Sequence, residues 1–202
     1  MNKLKISLFP LNGVIFFPGS NLPLNIFEER YLEMIDFSLG SDRLIGMIQT
    51  RESGDFYTVG CYGKINSFSE TADGRYVVNL KGENYFNIKK IVANNKKYIT
   101  ADIEIFEKKK SFLGQETIHF NKELLIKKYK IYAESQGLDI DFNLIKQIED
   151  QELIKFIAMS CSFSTEDKQM LLETYNIDEM GNKLISLFEF YHNNAGTQNL
   201  IN

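Results

Sequence analysis

The chain has 202 residues, 44% of them apolar and 13% aromatic with no tryptophan, which is enough to close a sizeable core built on Phe and Tyr. Its formal charge of −4 is uneven: residues 1–110 carry 15 Lys and Arg against 13 Asp and Glu (+2), residues 111–202 carry 8 against 14 (−6), and neither part has the basic surface that nucleic acid requires. With two cysteines, two histidines, no apolar run of membrane-spanning length and no signal-peptide pattern, a disulfide framework, a structural zinc site and a membrane span are excluded, and a cytoplasmic protein without metal or cofactor is expected.

Leu4, Ile6 and Leu8 alternate with Lys3, Lys5 and Ser7, which predicts a first strand over residues 3–9. Residues 7–34 then hold all three prolines of the chain, Pro10, Pro18 and Pro23. Each fixes its own φ and extends the residue before it, while Gly13 and Gly19 supply positive φ at the corners. A second strand is expected at Val14–Phe17. Phe27, Tyr31, Ile35 and Leu39 follow at a spacing of four, predicting a helix over 26–39 with Asn25 and Glu28 as a capping box and Gly40 as its stop.

Arg43–Thr50 reads as a buried strand, Tyr57–Glu70 as a long extended segment, and Ala72-Asp73-Gly74 as a hairpin turn into Arg75–Lys81. Tyr85–Val92 and Tyr98–Phe106 add two strands, with Ile99, Ala101, Ile103 and Ile105 on one face. Six or more strands and one early helix suggest a small mixed barrel over residues 1–107. A linker at 108–114 leads into a helical bundle over 115–195, with helices near 118–137, 140–149, 152–162, one capped by Ser164 and one beginning at Asp178. Residues 196–202 are expected to fray.

Three blocks carry a family resemblance. FPLNGVIFFPGSNLPLNIFEERY, residues 9–31, resembles the opening signature of the Lon protease N-terminal (substrate-binding) domain family, matching it at Pro10, Pro18, Gly19, Pro23, Glu28 and Arg30. VGCYGKINSFSETADGRYVVNLKGENYFNI matches the second block at Gly60, Gly63, Asp73, Gly74, Gly82 and Phe86, with Tyr85 where a basic residue is common. The run from Leu153 to Met180 resembles the third at Lys168, Leu171, Leu172 and Glu173, with Met180 in place of the usual Arg. The resemblance implies an α+β fold, a PUA-like mixed β-barrel with an early helix followed by a C-terminal α-helical bundle. It also implies a role in recognising polypeptide.

Candidate chemistry is sparse. No phosphate-binding loop and no Ser-Lys protease module occur, so a stand-alone, non-catalytic member is expected. Cys61 and Cys161 read as buried structural thiols, His119 and His192 as solvated, and Glu28-Glu29-Arg30 as a helix ion pair rather than a carboxylate site. The strand glycines mark bends or close approaches. Phe16, Phe17, Phe27 and Tyr31 are the candidates for polypeptide contact, either through an apolar patch or beside an open sheet edge. The expected partners are unfolded or extended polypeptide clients and a separate protease or chaperone in protein quality control. The alternative is a PUA-like protein that binds RNA or a small ligand.

Overall fold

The computed structural model describes residues 3–106 and 119–198; the expected linker at 108–114 lies outside them. The chain forms two compact units. The first is a closed barrel of β1 (Lys3–Pro10), β3 (Leu44–Ile48), β4 (Val59–Glu70), β5 (Tyr76–Val92) and β6 (Ile99–Ile105). Strand order around it is β5-β4-β3-β1-β6, closed by β5 pairing with β6, and β2 (Asn21–Ile26) is added outside the first half of β5. Among the described strands only β1 and β3 run parallel, and α1 (Glu29–Leu39) lies in sequence between β2 and β3. Inside, Ile6, Leu8, Ile48, Phe86, Ala101 and Ile103 form one buried cluster. The Phe86 ring fits there because Gly46 and Gly60 face it: a Cβ at Gly60 would lie 2.6 Å from that ring.

Several expected elements differ from those observed. Val14–Phe17 is not a strand; the second strand begins at Asn21, and Asn25 lies inside it. The first helix therefore starts at Glu29, with Glu28 at its N-cap and no side-chain cap bond, so the capping box does not form. Asn25 is committed instead to pairing with Val77, and a residue in a ladder is not free to cap. The two strands expected on either side of Gly82 are one continuous strand, β5. Gly82 is there for a close approach rather than a break.

The helix α5 (Thr165–Leu172) groups with the barrel, although it lies in sequence between helices of the second unit. Ser164 caps it, its Oγ accepting from Asp167 N at 3.1 Å. The second unit holds α2 (Lys122–Ser135), α3 (Phe142–Gln147), α4 (Asp150–Ser160) and α6 (Ile177–Gln198). Asn121 caps α2 and Asp141 caps α3. Glu149 rather than Asp150 stands at the N-cap of α4, and Asn176 Oδ1 accepts from Glu179 N at the start of α6. That helix continues to Gln198, past the expected onset of fraying. Tyr129 occupies the middle of this unit, its ring 6.0 Å from Phe142 and 6.3 Å from Phe188 between centroids. Cys61 and Cys161 are both buried.

Candidate functional site

The proline segment is a strap laid over the barrel wall. Phe16 and Phe17 are 1% and 0% exposed, and each meets a strand glycine. A Cβ at Gly63 would lie 2.6 Å from the Phe16 ring, and one at Gly82 only 2.1 Å from the Phe17 carbonyl oxygen. Gly82 N donates to Ser20 O and Gly19 N donates to Gly82 O, both at 2.9 Å, with Gly19 at φ 84. Lys81 Nζ reaches Gly19 O at 2.5 Å. Burying two phenyl rings in this way contributes roughly 2 kcal/mol each. Phe16 and Phe17 therefore fill the core and, unlike Phe27, present no surface to solvent. Tyr31 is also buried, with its ring 4.2 Å from that of Phe9.

The strap is also held from below. Gly13, at φ 72, donates its N–H to Gln49 Oε1 at 3.2 Å, and its carbonyl accepts from Lys168 Nζ at 2.5 Å. Gln49 Nε2 donates to Gln169 Oε1 at 3.1 Å, and Gln169 Nε2 donates to Val59 O at 3.1 Å. Gln49, Lys168 and Gln169 are all at least 95% buried, and among the described residues no buried side-chain polar atom lacks a partner. Two of the sequence blocks thus meet 155 residues apart. Their polar residues tie α5 and the strap to the barrel; they do not line a reaction centre.

Of the four aromatic candidates only Phe27 is open to solvent, at 64%. It follows β2 and lies beside the tip of the β4–β5 hairpin, with the Arg75 guanidinium 5.9 Å from its ring centroid. Ile26 pairs with Tyr76, whose ring meets Phe68 edge-on at 6.1 Å. Phe68 is half exposed and Val77 is also exposed. The sequence reading missed Phe68, Tyr76 and Val77; their position next to the Asp73-Gly74 turn was the available signal, since side chains near a hairpin tip outrun the core. Tyr76 Oη donates to Asp36 Oδ1 at 2.8 Å, and this bond, with partial burial, raises the Tyr76 pKa. Asp73 is held below its ordinary value by a hydrogen bond from Thr71 and by Arg75, to which it is bridged at 2.9 Å. Strand alternation puts Phe68 and Tyr76 on one face of this hairpin end and Val77, with Phe27 and Arg75, on the other, so the exposed apolar groups form two small patches, each beside ion-paired or hydrogen-bonded side chains.

The edge of the sheet is less inviting. Among the described strands β2 pairs with β5 alone. The Gly82 N to Ser20 O bond sets the phase of that ladder, so the backbone groups of Leu22, Leu24 and Ile26 point toward β5 and those of Asn21, Pro23 and Asn25 point outward. Pro23 has no N–H to offer there, which blunts the edge against an added strand.

Glu28 and Glu29 do not form a paired-carboxylate site. Glu28 bridges Arg30 at 2.8 Å, while Glu29 bridges Lys97 at 2.5 Å, which lowers the Glu29 pKa and raises that of Lys97. His119 and His192 are exposed. Among the described residues no group of three His, Cys, Asp or Glu side chains could hold a metal, and no helix is long and apolar enough to cross a membrane.

Residues 5–189 match the family model described as the ATP-dependent protease La (LON) substrate-binding domain. The chain belongs to the Lon substrate-binding domain family. The Lon protease of Buchnera aphidicola subsp. Baizongia pistaciae is 26% identical over 199 residues, covering 92% of this chain and 25% of that protein. That of Flavobacterium johnsoniae is 25% identical over 189 residues, covering 87% and 23%. This chain thus spans about a quarter of the length of the Lon proteases it matches. Among solved structures, the N-terminal domain of a Mycobacterium avium complex Lon protease superposes with a TM-score of 0.68 at 16% identity, covering 92% of this chain and 98% of that one. A Lon N-terminal domain protein from Xanthomonas campestris does so at 0.62 and 19%, covering 91% and 98%. These likenesses carry the fold: a six-stranded sheet with helices, the C-terminal helices included.

Proposed function

We propose that the barrel unit of this Lon-family domain binds unfolded or extended polypeptide at the rim of the β4–β5 hairpin end, where Phe68 and Tyr76 are presented on one face and Phe27 and Val77 on the other. The carrying observation is that Phe27, just after β2, and Phe68, near the end of β4, two large aromatic side chains flanking the same end of β5, are left half or more exposed on a domain whose family model describes substrate binding. An exposed apolar patch edged by polar groups is the usual mark of a protein contact. Pro23 at the outer edge of β2 favours docking through side chains over strand addition. On this reading the chain is a non-catalytic recognition module of the cytoplasm, presenting clients to a separate protease or chaperone in protein quality control.

The test is binding of a fluorescently labelled, permanently unfolded protein to the chain and to a variant carrying Phe27→Ser and Phe68→Ser. Both positions are exposed, so the fold should persist, as circular dichroism would verify. Affinity is expected to fall on the order of tenfold or more, as for loss of two aromatic anchors. Unchanged affinity in the folded variant would remove the rim from the proposal.

A further inference from the structure

We infer that the helical unit carries a second polypeptide contact, a basic groove along α2 and α3 that selects segments combining acidic residues with a large apolar side chain. The inference rests on the polypeptide-binding reading above and adds to it a preference for acidic clients. The groove has a volume of about 620 Å³. Its apolar floor is Ile126 and Phe142, and Phe142 is held in place by its ring contact with Tyr129, itself 1% exposed. Four lysines line it, Lys122, Lys127, Lys130 and Lys146, against one carboxylate, Glu123.

These lysines are not equivalent. Lys122 is already engaged, bridging Asp150 at 2.8 Å and donating to Ile148 O at 2.8 Å. Lys130 lies 3.8 Å from Glu134 and 5.9 Å from the Phe142 ring centroid. Lys127 and Lys146 are exposed, and among the described residues neither has a carboxylate partner. Residues 111–202 carry 8 basic residues against 14 acidic (−6), so a groove of this sign stands out from its surroundings. Two uncommitted ammonium groups beside a preorganised apolar floor complement a segment with two carboxylates and one large apolar side chain. A nucleic acid backbone is the poorer fit, because its continuous phosphate charge would meet Glu123 and the acidic remainder of this part of the chain.

The experiment uses the full chain and fluorescence anisotropy of a short labelled host peptide containing one leucine and either two aspartates or two asparagines. The aspartate peptide is expected to bind roughly tenfold more tightly. Lys127→Glu with Lys146→Glu should abolish that difference. The charge-neutral pair Lys127→Gln and Lys146→Gln should reduce it, which guards against a folding defect in the reversed pair. Phe27→Ser with Phe68→Ser should leave it intact, so failure of the groove and failure of the barrel rim are read separately. Equal binding of the two peptides, or a difference that survives charge reversal, would overturn the inference. Binding of a labelled oligouridylate with the same dependence on Lys127 and Lys146 would also overturn it, in favour of a general polyanion site.

Discussion

Gly82, on the strand beneath the strap, and Gly13, within the strap, show how differently two glycines can be used. At Gly82 an added Cβ would fall 2.1 Å from the Phe17 carbonyl, and Pro18 lies just beyond; neither backbone atom can move without lifting the strap. Gly82→Ala should therefore destabilise the chain by about 3 kcal/mol, the upper end for overpacking. Gly13 has open space around it but holds φ 72, so Gly13→Ala should cost only about 1 kcal/mol of left-handed backbone strain. Urea denaturation of the two variants tests the contrast, and equal losses would mean that contact at Gly82 is relieved by movement. A pH prediction belongs to Tyr129. Burial, its largest cause, raises the pKa of this hydroxyl above the ordinary 10.0, while the hydrogen bond shared with Ser160 opposes the shift. The folded state thus favours the neutral form, and the stability this lends is complete below pH 10.0 and is lost as pH rises through the higher folded value. Tyr129→Phe should flatten the alkaline end of a stability–pH curve. An unchanged curve would place the alkaline loss elsewhere.

At the scale of elements, local chemistry was readable wherever one element decides its own boundary. The Asp73-Gly74 turn forms between β4 and β5 with Gly74 at φ 79, and Thr71 N donates to Arg75 O at 2.9 Å. Ser164 caps α5 as its position suggested. Ser164→Ala should cost about 1 kcal/mol in thermal or urea unfolding. The capping box at Asn25 and Glu28 was legible but wrong, because β2 pairing outcompeted it: a ladder residue has its neighbours fixed on a second strand, which no local pattern reveals. The same holds for Val14–Phe17, apolar as a strand should be, yet seated on strand glycines rather than in a ladder. Gln169 reads as an ordinary helix residue, but in α5 it is 3% exposed and bridges Gln49 to Val59. Gln169→Ala should therefore destabilise by roughly 2 kcal/mol by removing one of the side-chain partners of Gln49 and the side-chain donor to the Val59 carbonyl. A surface-like value near zero would show that water replaces it.

For the whole molecule, the division of the chain is not the division of the fold. A break near residue 107 was the natural reading of a change from alternating to helical periodicity. α5 nevertheless belongs with the barrel, which it meets through Gln49, Gly13 and Val59. A chain cut after Phe106 should be less stable than a barrel to which residues 163–172 are joined by a flexible linker, by about 1–3 kcal/mol for the buried polar groups left open. Equal urea midpoints for the two would mean that α5 adds nothing to the barrel. The sequence by itself determined the family, the barrel-then-helices order and the positions of most strands, because strand alternation, turn dipeptides and proline corners act over a few residues. Which phenylalanines are core and which are surface was decided only by tertiary structure. Phe16, Phe17 and Phe27 stand in the same proline-rich stretch, yet they are 1%, 0% and 64% exposed. The difference is that the first two meet Gly63 and Gly82 on strands far along the chain, and burial depends on what the distant chain brings to a side chain.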